Sequence, residues 1–157
     1  MSLARLIPAL AFVAAGCLPN DTTEPNVPDP IALEQQVWGS SLNITLSSFT
    51  KLASGVYVLD TQVGTGSTLS GLPTVRVYYT GYLANGSRFD GNVGNATPAV
   101  FLLSNLIQGW QVGMQGMKVG GRRRLLIPSS LGYGPAGVGP IPGNANLVFD
   151  IELNGIQ

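Results

Sequence analysis

Leu147-Val-Phe-Asp-Ile-Glu-Leu153 places an apolar side chain at every second position. A period of two is the mark of a strand, whose successive side chains point to opposite faces. Leu147, Phe149, Ile151 and Leu153 are therefore predicted to face a core, with Asp150 and Glu152 facing outward. Thr74-Val-Arg-Val-Tyr-Tyr-Thr80 repeats the pattern, with Val75, Val77 and Tyr79 on one face and Arg76, Tyr78 and Thr80 on the other. Gly55 to Val63 is β-branched and aromatic and ends at Gly64-Thr-Gly66, and Arg122 to Ile127 supplies a further strand. Between Tyr82-Leu83 and Arg88-Phe89, Asn85-Gly86 signals a hairpin turn, since both residues accept positive φ.

A single segment favours a helix. Ile107, Trp110 and Met114 fall at i, i+3 and i+7, and Ser104 or Asn105 is available as its N-cap. Gly109, Gly113 and Gly116 keep that helix short and allow it close to a sheet. Together these elements predict an α+β fold, a bent antiparallel β-sheet (a half-barrel) wrapped around one short α-helix, with Trp110 at its centre.

The 157 residues suggest one domain with something attached. Charged residues make up 10%, against roughly 25% in an average soluble protein, and hydrophobic residues 45%, so there is apolar surface enough to fold. The chain has no His and one Cys, Cys17. A His/Cys zinc site, a Ser/His/Asp triad, a Cys/His nucleophile pair and an internal disulfide are thereby excluded. The Gly-rich stretch Gly132 to Gly143 lacks the Gly-Lys-Ser/Thr end of a phosphate loop, so neither metal nor cofactor is expected. Residues 52–157 carry six basic against four acidic side chains, too few and too mixed for a nucleic-acid footprint. Arg122-Arg123-Arg124 reads as a solvated strand edge, with the stem of Arg123 extending past the core.

The first residues read as an address. Arg5, the apolar run Leu6 to Ala15 and the small residues Ala14-Ala15-Gly16 describe a signal peptide over residues 1–16. That run is shorter than the roughly 20 residues of a membrane-spanning helix. Val13-Ala-Ala-Gly-Cys17 resembles a lipobox, with Ala14 where Leu is usual, which implies a lipid on Cys17 and attachment to a membrane. Residues 17–50 hold four acids (Asp21, Glu24, Asp29, Glu34) and no base, and four prolines fall between Cys17 and Pro30. This is the composition of an extended, solvated tether. The apolar residues between Ile31 and Phe49 recur without a period and are expected to pack on the domain as a short helix or a strand. Residues 51–157 form the folded domain.

For chemistry, the chain offers aromatics and one acid of note, Asp90 beside Phe89, expected to be partly buried. Val77-Tyr-Tyr-Thr-Gly81, Asn85-Gly-Ser-Arg-Phe-Asp90, Ile107-Gln-Gly-Trp110, Gly116-Met-Lys-Val-Gly-Gly-Arg122, Leu126-Ile-Pro128, Gly132-Tyr-Gly134 and Leu147 to Leu153 occur in one order and spacing. From about Leu52 onward the chain closely resembles the FKBP-type peptidyl-prolyl cis-trans isomerases. The resemblance implies an enzyme that accelerates rotation about X–Pro bonds without metal, cofactor or covalent intermediate. It implies Trp110 as the floor of a proline pocket, and Tyr79, Phe89 and Phe149 as its walls. Phe101 would line the pocket from behind, with Leu106 and Ile141 at its rim. The Ile107 backbone N–H and the Tyr133 hydroxyl would hold substrate carbonyls, and Asp90 would be a buried acid bonded to Tyr79.

The implied partners are proline-containing polypeptide clients exported to a bacterial cell envelope, with macrolide inhibitors as further ligands and a monomeric state. Leu18 after Cys17 points to the outer rather than the inner membrane. Three features depart from the family: Ala99 where a second Phe is usual, Asn95 where some members place an Arg near the acid, and a short stretch between Phe101 and Ile107. At Ala99 one pocket wall is expected either to be missing or to be supplied by a neighbour such as Leu102. These departures motivate an alternative, a catalytically weak or inactive peptide-binding module.

Overall fold

A computed structural model describes residues 27–157; the expected signal peptide, Cys17 and most of the expected tether lie outside the described residues. Seven strands form one antiparallel sheet: β1 (Thr50–Lys51), β2 (Tyr57–Gln62), β3 (Thr74–Leu83), β4 (Arg88–Gly91), β5 (Ala99–Leu102), β6 (Arg122–Ile127) and β7 (Leu147–Ile156). Their order is β1-β2-β6-β7-β3-β4. β4 and β5 share the outer side of β3, β5 pairing Thr74–Val77 and β4 pairing Thr80–Tyr82. One α-helix, α1 (Gln108–Gly113), packs across the sheet against β6.

Alternation works as the pattern requires. Leu147, Phe149, Ile151 and Leu153 are buried on the α1 side of β7, while Asp150 and Glu152 are half-exposed on the other. They join Val75, Val77, Trp110, Met114, Leu125 and Ile127 in the main core. β3 runs on to Leu83 and β7 to Ile156, each ten residues long, because the two pair along nearly their whole length.

The helix begins later than the cap predicted at Ser104 or Asn105. Leu103–Asn105 is a separate 3-10 turn, and Ile107 is the N-cap, without a side-chain hydrogen bond. Gln111 Nε2 supplies the missing restraint by donating to the carbonyls of Leu106 (2.8 Å) and Ser104 (3.2 Å). This turn tucks the chain from β5 into α1 and brings Phe101 and Ile107 to one side of Trp110.

Arg122–Arg124 do not form an edge, because β6 lies between β2 and β7. Each guanidinium meets an acid on a neighbouring strand: Arg122 with Glu152, Arg123 with Asp60, Arg124 with Asp150. Arg123 is buried and binds both Asp60 oxygens (2.6 and 2.9 Å) as well as the carbonyls of Gly113 and Gln115 (both 2.9 Å). It thus joins the C-terminal end of α1 to the sheet.

The opposite sheet face is covered by the segment preceding β1, which forms two 3-10 turns (Ser40–Leu42 and Leu46–Ser48) and neither a strand nor an α-helix. Leu33 and Leu42 are buried there against Tyr57, Leu126 and Val148, with Trp38, Ile44, Leu46 and Phe49 around them. Glu34 accepts from Lys51 (2.5 Å) and Tyr57 Oη (2.6 Å), and Arg124 Nη1 donates to the Leu42 carbonyl (2.6 Å).

Candidate functional site

Inside the curve of the sheet, on the α1 side, lies a cavity of about 140 Å³. Tyr79 enters it from β3, Asp90 from β4, Phe101 from β5 and Phe149 from β7; Leu106 and Ile107 come from the turn into α1, Trp110 from α1 itself, and Tyr133 from the β6–β7 loop. A volume below the roughly 300–1,000 Å³ of sites for drug-sized ligands suits one ring-sized group rather than a large molecule.

Trp110 is the base of the cavity and is 4% exposed. Its ring meets Tyr79 and Phe149 edge-on, both at 5.3 Å between centroids, and Phe101 at 6.4 Å. Tyr79 and Phe101 meet at 5.9 Å. Edge-to-face pairs contribute about 0.5–1.5 kcal/mol each beyond burial, so the rings support one another around the cavity. Two glycines make the approach possible. A Cβ on Gly109 would lie 2.3 Å from Ile127 Cγ2, and one on Gly81 would lie 2.7 Å from Phe89 and 2.8 Å from Phe149. Phe89 itself is behind the wall, stacked edge-on to Phe149 at 5.5 Å, and does not line the cavity.

The polar groups sit at the mouth. Tyr79 Oη donates to Asp90 Oδ2 at 2.8 Å; burial first, and the carboxylate acceptor second, push this phenol far above its usual range. Asp90 is not buried as expected but exposed, because β4 is an edge strand and the carboxylate lies along its rim; its Oδ1 accepts from Gly91 N–H at 2.7 Å. The Tyr133 hydroxyl makes no hydrogen bond among the described residues. Burial, then the charge of Asp90, raises its pKa, so it stays an O–H donor. The Ile107 N–H is likewise uncommitted among the described residues, being one residue ahead of the first hydrogen-bonded turn of α1.

Three further expectations need correction. Ile141 is not at the rim: Val138 and Ile141 pair as a tight hairpin that turns the Ile141 side chain into the main core, where it is 6% exposed. Leu102 does not replace a wall at Ala99, since the strand pleat turns it to solvent and Leu106 lines the cavity instead. Asn95 is not beside Asp90 but across the sheet, in a groove of about 570 Å³ with Tyr78, Arg122 and Arg124. The cation near the acid is Arg88, which donates to the carbonyls of Asp90 (3.3 Å) and Gly91 (3.0 Å). Sequence reading also passed over Asn92. This buried amide accepts from Tyr79 N–H (2.8 Å) and donates to the Val77 carbonyl (3.0 Å), holding β3 where Tyr79 leaves it. Its only signal was a turn-rich Gly-Asn-Val-Gly-Asn run, which does not distinguish it from Asn95.

Among the described residues no helix is long and apolar enough to cross a membrane, and no group of three or more acid, His or Cys side chains is arranged to hold a metal ion.

Residues 66–154 match the family model described as FKBP-type peptidyl-prolyl cis-trans isomerase. The chain is 39% identical over 132 residues to the FKBP-type peptidyl-prolyl cis-trans isomerase FkpA of Aeromonas hydrophila, a match covering 82% of this chain and 49% of that protein. It therefore spans about half the length of that relative. Its fold is similar to a crystal structure of a peptidyl-prolyl cis-trans isomerase from Pseudomonas syringae (TM-score 0.65, 35% identity, covering 70% of this chain and 81% of that one). It is also similar to that of FkpA from Escherichia coli (TM-score 0.67, 34% identity, covering 75% and 55%).

Proposed function

The chain belongs to the FKBP-type peptidyl-prolyl cis-trans isomerase family, and on that premise we propose that its aromatic cavity seats a proline ring and accelerates rotation about the peptide bond before it. The observation that carries this reading is the pairing of a ring-sized aromatic cavity with two uncommitted donors at its mouth. Trp110 bounds the ring from below, with Tyr79, Phe101 and Phe149 around it. The Ile107 N–H and Tyr133 O–H face where the carbonyls of a bound chain would run.

Rotation about a peptide bond faces a barrier of about 18–20 kcal/mol because resonance stiffens the C–N bond. Water favours the planar, charge-separated amide, and an apolar site that replaces water by fixed donors favours the twisted form instead. Each ~1.4 kcal/mol of differential binding is worth tenfold in rate. No proton leaves or arrives, so raised phenol pKa values serve the site by keeping Tyr79 and Tyr133 neutral donors.

In this reading the clients are proline-containing segments of exported chains, and macrolides occupy the cavity through a single ring. A signal peptide over residues 1–16 and a lipid on Cys17 would hold the domain at the cell envelope, facing the periplasm or the surface, as a monomer on a proline-rich tether. Labelling with a radioactive fatty acid, present in the full chain and lost in Cys17→Ser, tests the anchor. The activity is tested by a protease-coupled isomerisation assay on short peptides with Leu, Phe or Ala before proline. Acceleration supports the enzyme; saturable peptide binding without acceleration supports the alternative of a binding module, and would reject turnover.

A further inference from the structure

The Tyr133 hydroxyl makes no hydrogen bond among the described residues, so its position depends on its loop. That loop, between β6 and β7, contains Gly132, Gly134, Gly137, Gly139 and Gly143, and glycine loses more freedom on ordering than any other residue. It is closed at its base by three bonds: Gly134 N–H to the Ser129 carbonyl (2.9 Å), Asn144 N–H to the Gly134 carbonyl (2.8 Å) and Ser129 N–H to Asn146 Oδ1 (3.2 Å). Asn146 is 3% exposed, and its amide continues outward. Nδ2 donates to the Ile31 carbonyl (2.7 Å) and to Gln36 Oε1 (3.0 Å). Two residues earlier, Asn144 Nδ2 donates to the Pro28 carbonyl (2.7 Å). Residues 28–36, which precede every strand, are thus joined to the base of the Tyr133 loop at three points.

We propose that residues 28–36 brace this loop, and that Asn146 is a positioning residue that sets Tyr133 through Ser129 and the extension. The inference rests on the reading of Tyr133 as a donor to the bound peptide. Two features make the brace specific to this chain rather than to the sheet. Asn146 spends its acceptor on the loop and both donor contacts on the extension, so one side chain couples the two. Asn144 adopts a left-handed backbone (φ 56°), which points its amide back along the extension at the loop's closure. The folded unit that serves the pocket consequently begins near Pro28 rather than at residue 51.

Two substitutions separate the brace from the fold. Asn146→Asp keeps the acceptor for Ser129 N–H and removes both donor contacts to the extension. Asn144→Gly keeps the left-handed backbone and removes only the bond to Pro28. In the full chain, the account expects kcat/KM for an X–Pro peptide to fall about tenfold in Asn146→Asp, the worth of roughly one hydrogen bond to substrate, and less in Asn144→Gly. Both proteins should remain folded at the assay temperature. Introduced into Tyr133→Phe, Asn146→Asp should cost nothing further, because the donor it positions is gone. Equal losses in both backgrounds would overturn the proposal. If Tyr133→Phe itself leaves activity unchanged, the donor role fails, and the brace is then decided by NMR of ¹³C-labelled tyrosine. Broadening or splitting of the Tyr133 ring signals in Asn146→Asp, with those of Tyr79 unmoved, supports it; unchanged Tyr133 signals reject it.

Discussion

Gly109→Ala tests how α1 places the floor of the pocket. A Cβ at this position would lie 2.3, 2.7 and 2.9 Å from Cγ2, Cδ1 and Cγ1 of Ile127, where carbon atoms rest at about 3.5–4.0 Å. Ile127 is fully buried, and its three near atoms leave no rotation that relieves all the contacts. The helix must therefore move off β6 by about 1 Å. Overpacking of this kind costs about 1–3 kcal/mol, against which the better helix propensity of Ala returns about 1 kcal/mol. The difference is a net loss of about 0–2 kcal/mol, which lowers Tm by up to roughly 10 °C. Trp110 is the next residue and moves with the helix, and a 1 Å misplacement at a reacting centre costs up to about 10²-fold. Thermal unfolding and kcat/KM on an X–Pro peptide measure the two effects together. The double substitution Gly109→Ala, Ile127→Ala removes every clashing atom, so its cost should be smaller than the sum of the two single costs. Strict additivity, or a Gly109→Ala protein with the parent's Tm and activity, would refute the claim that this glycine sets the height of Trp110.

Asp60→Ala should destabilise the chain by roughly 1–3 kcal/mol in urea unfolding, since it leaves the buried Arg123 without its acid, while the part-exposed position of Asp60 keeps the loss below that of a fully buried pair. Glu34 is held down from 4.5 to about 2, first by its bond with Lys51 and then by that with Tyr57. A depressed carboxylate stabilises fully above its unfolded value and loses that contribution as pH falls through the folded one. Protection factors in residues 31–49, which take out the intrinsic pH dependence of amide exchange, should therefore fall between about pH 4.5 and 2 in the parent and show no such step in Glu34→Gln. Tyr79 and Tyr133 both titrate above the ordinary phenol value of 10.0, so kcat/KM should be flat from neutral pH up to that value. An activity step with a midpoint near 8 or 9 would contradict their assignment as neutral donors.

Where residues alternate or repeat at helical spacing, the sequence was sufficient to place them. Leu147 to Leu153 and Thr74 to Thr80 fall as read, because one buried face imposes the register of a strand. Trp110, Tyr79, Phe101, Phe149, Tyr133 and Ile107 gather in one cavity although they come from six separate elements and loops. That convergence was legible only through motif order; periodicity leaves a pocket aromatic and a core aromatic identical. Other features depended on strand order, which no local pattern carries. Arg123 read as an edge residue until β2 was seen to flank β6, and Asp90 read as buried until β4 proved to be the edge. Ile141 was misplaced because a Gly/Pro-rich loop gives no clue to which way its hairpin folds. Residues 31–49 were the least legible: short 3-10 turns have no period to read, and their apolar side chains make sense only against the second face of the sheet.

The central claim is that Trp110 is the floor on which a proline ring turns. Its most direct test is kcat/KM for a Leu-Pro peptide, measured by protease-coupled isomerisation on the full chain and on Trp110→Leu, with thermal unfolding confirming that both are folded at the assay temperature. The account predicts clear acceleration by the parent and a loss of at least about tenfold in the variant, the consequence of some 1.4 kcal/mol less stabilisation of the twisted bond. A folded parent without acceleration, or a folded variant that matches the parent, would contradict it.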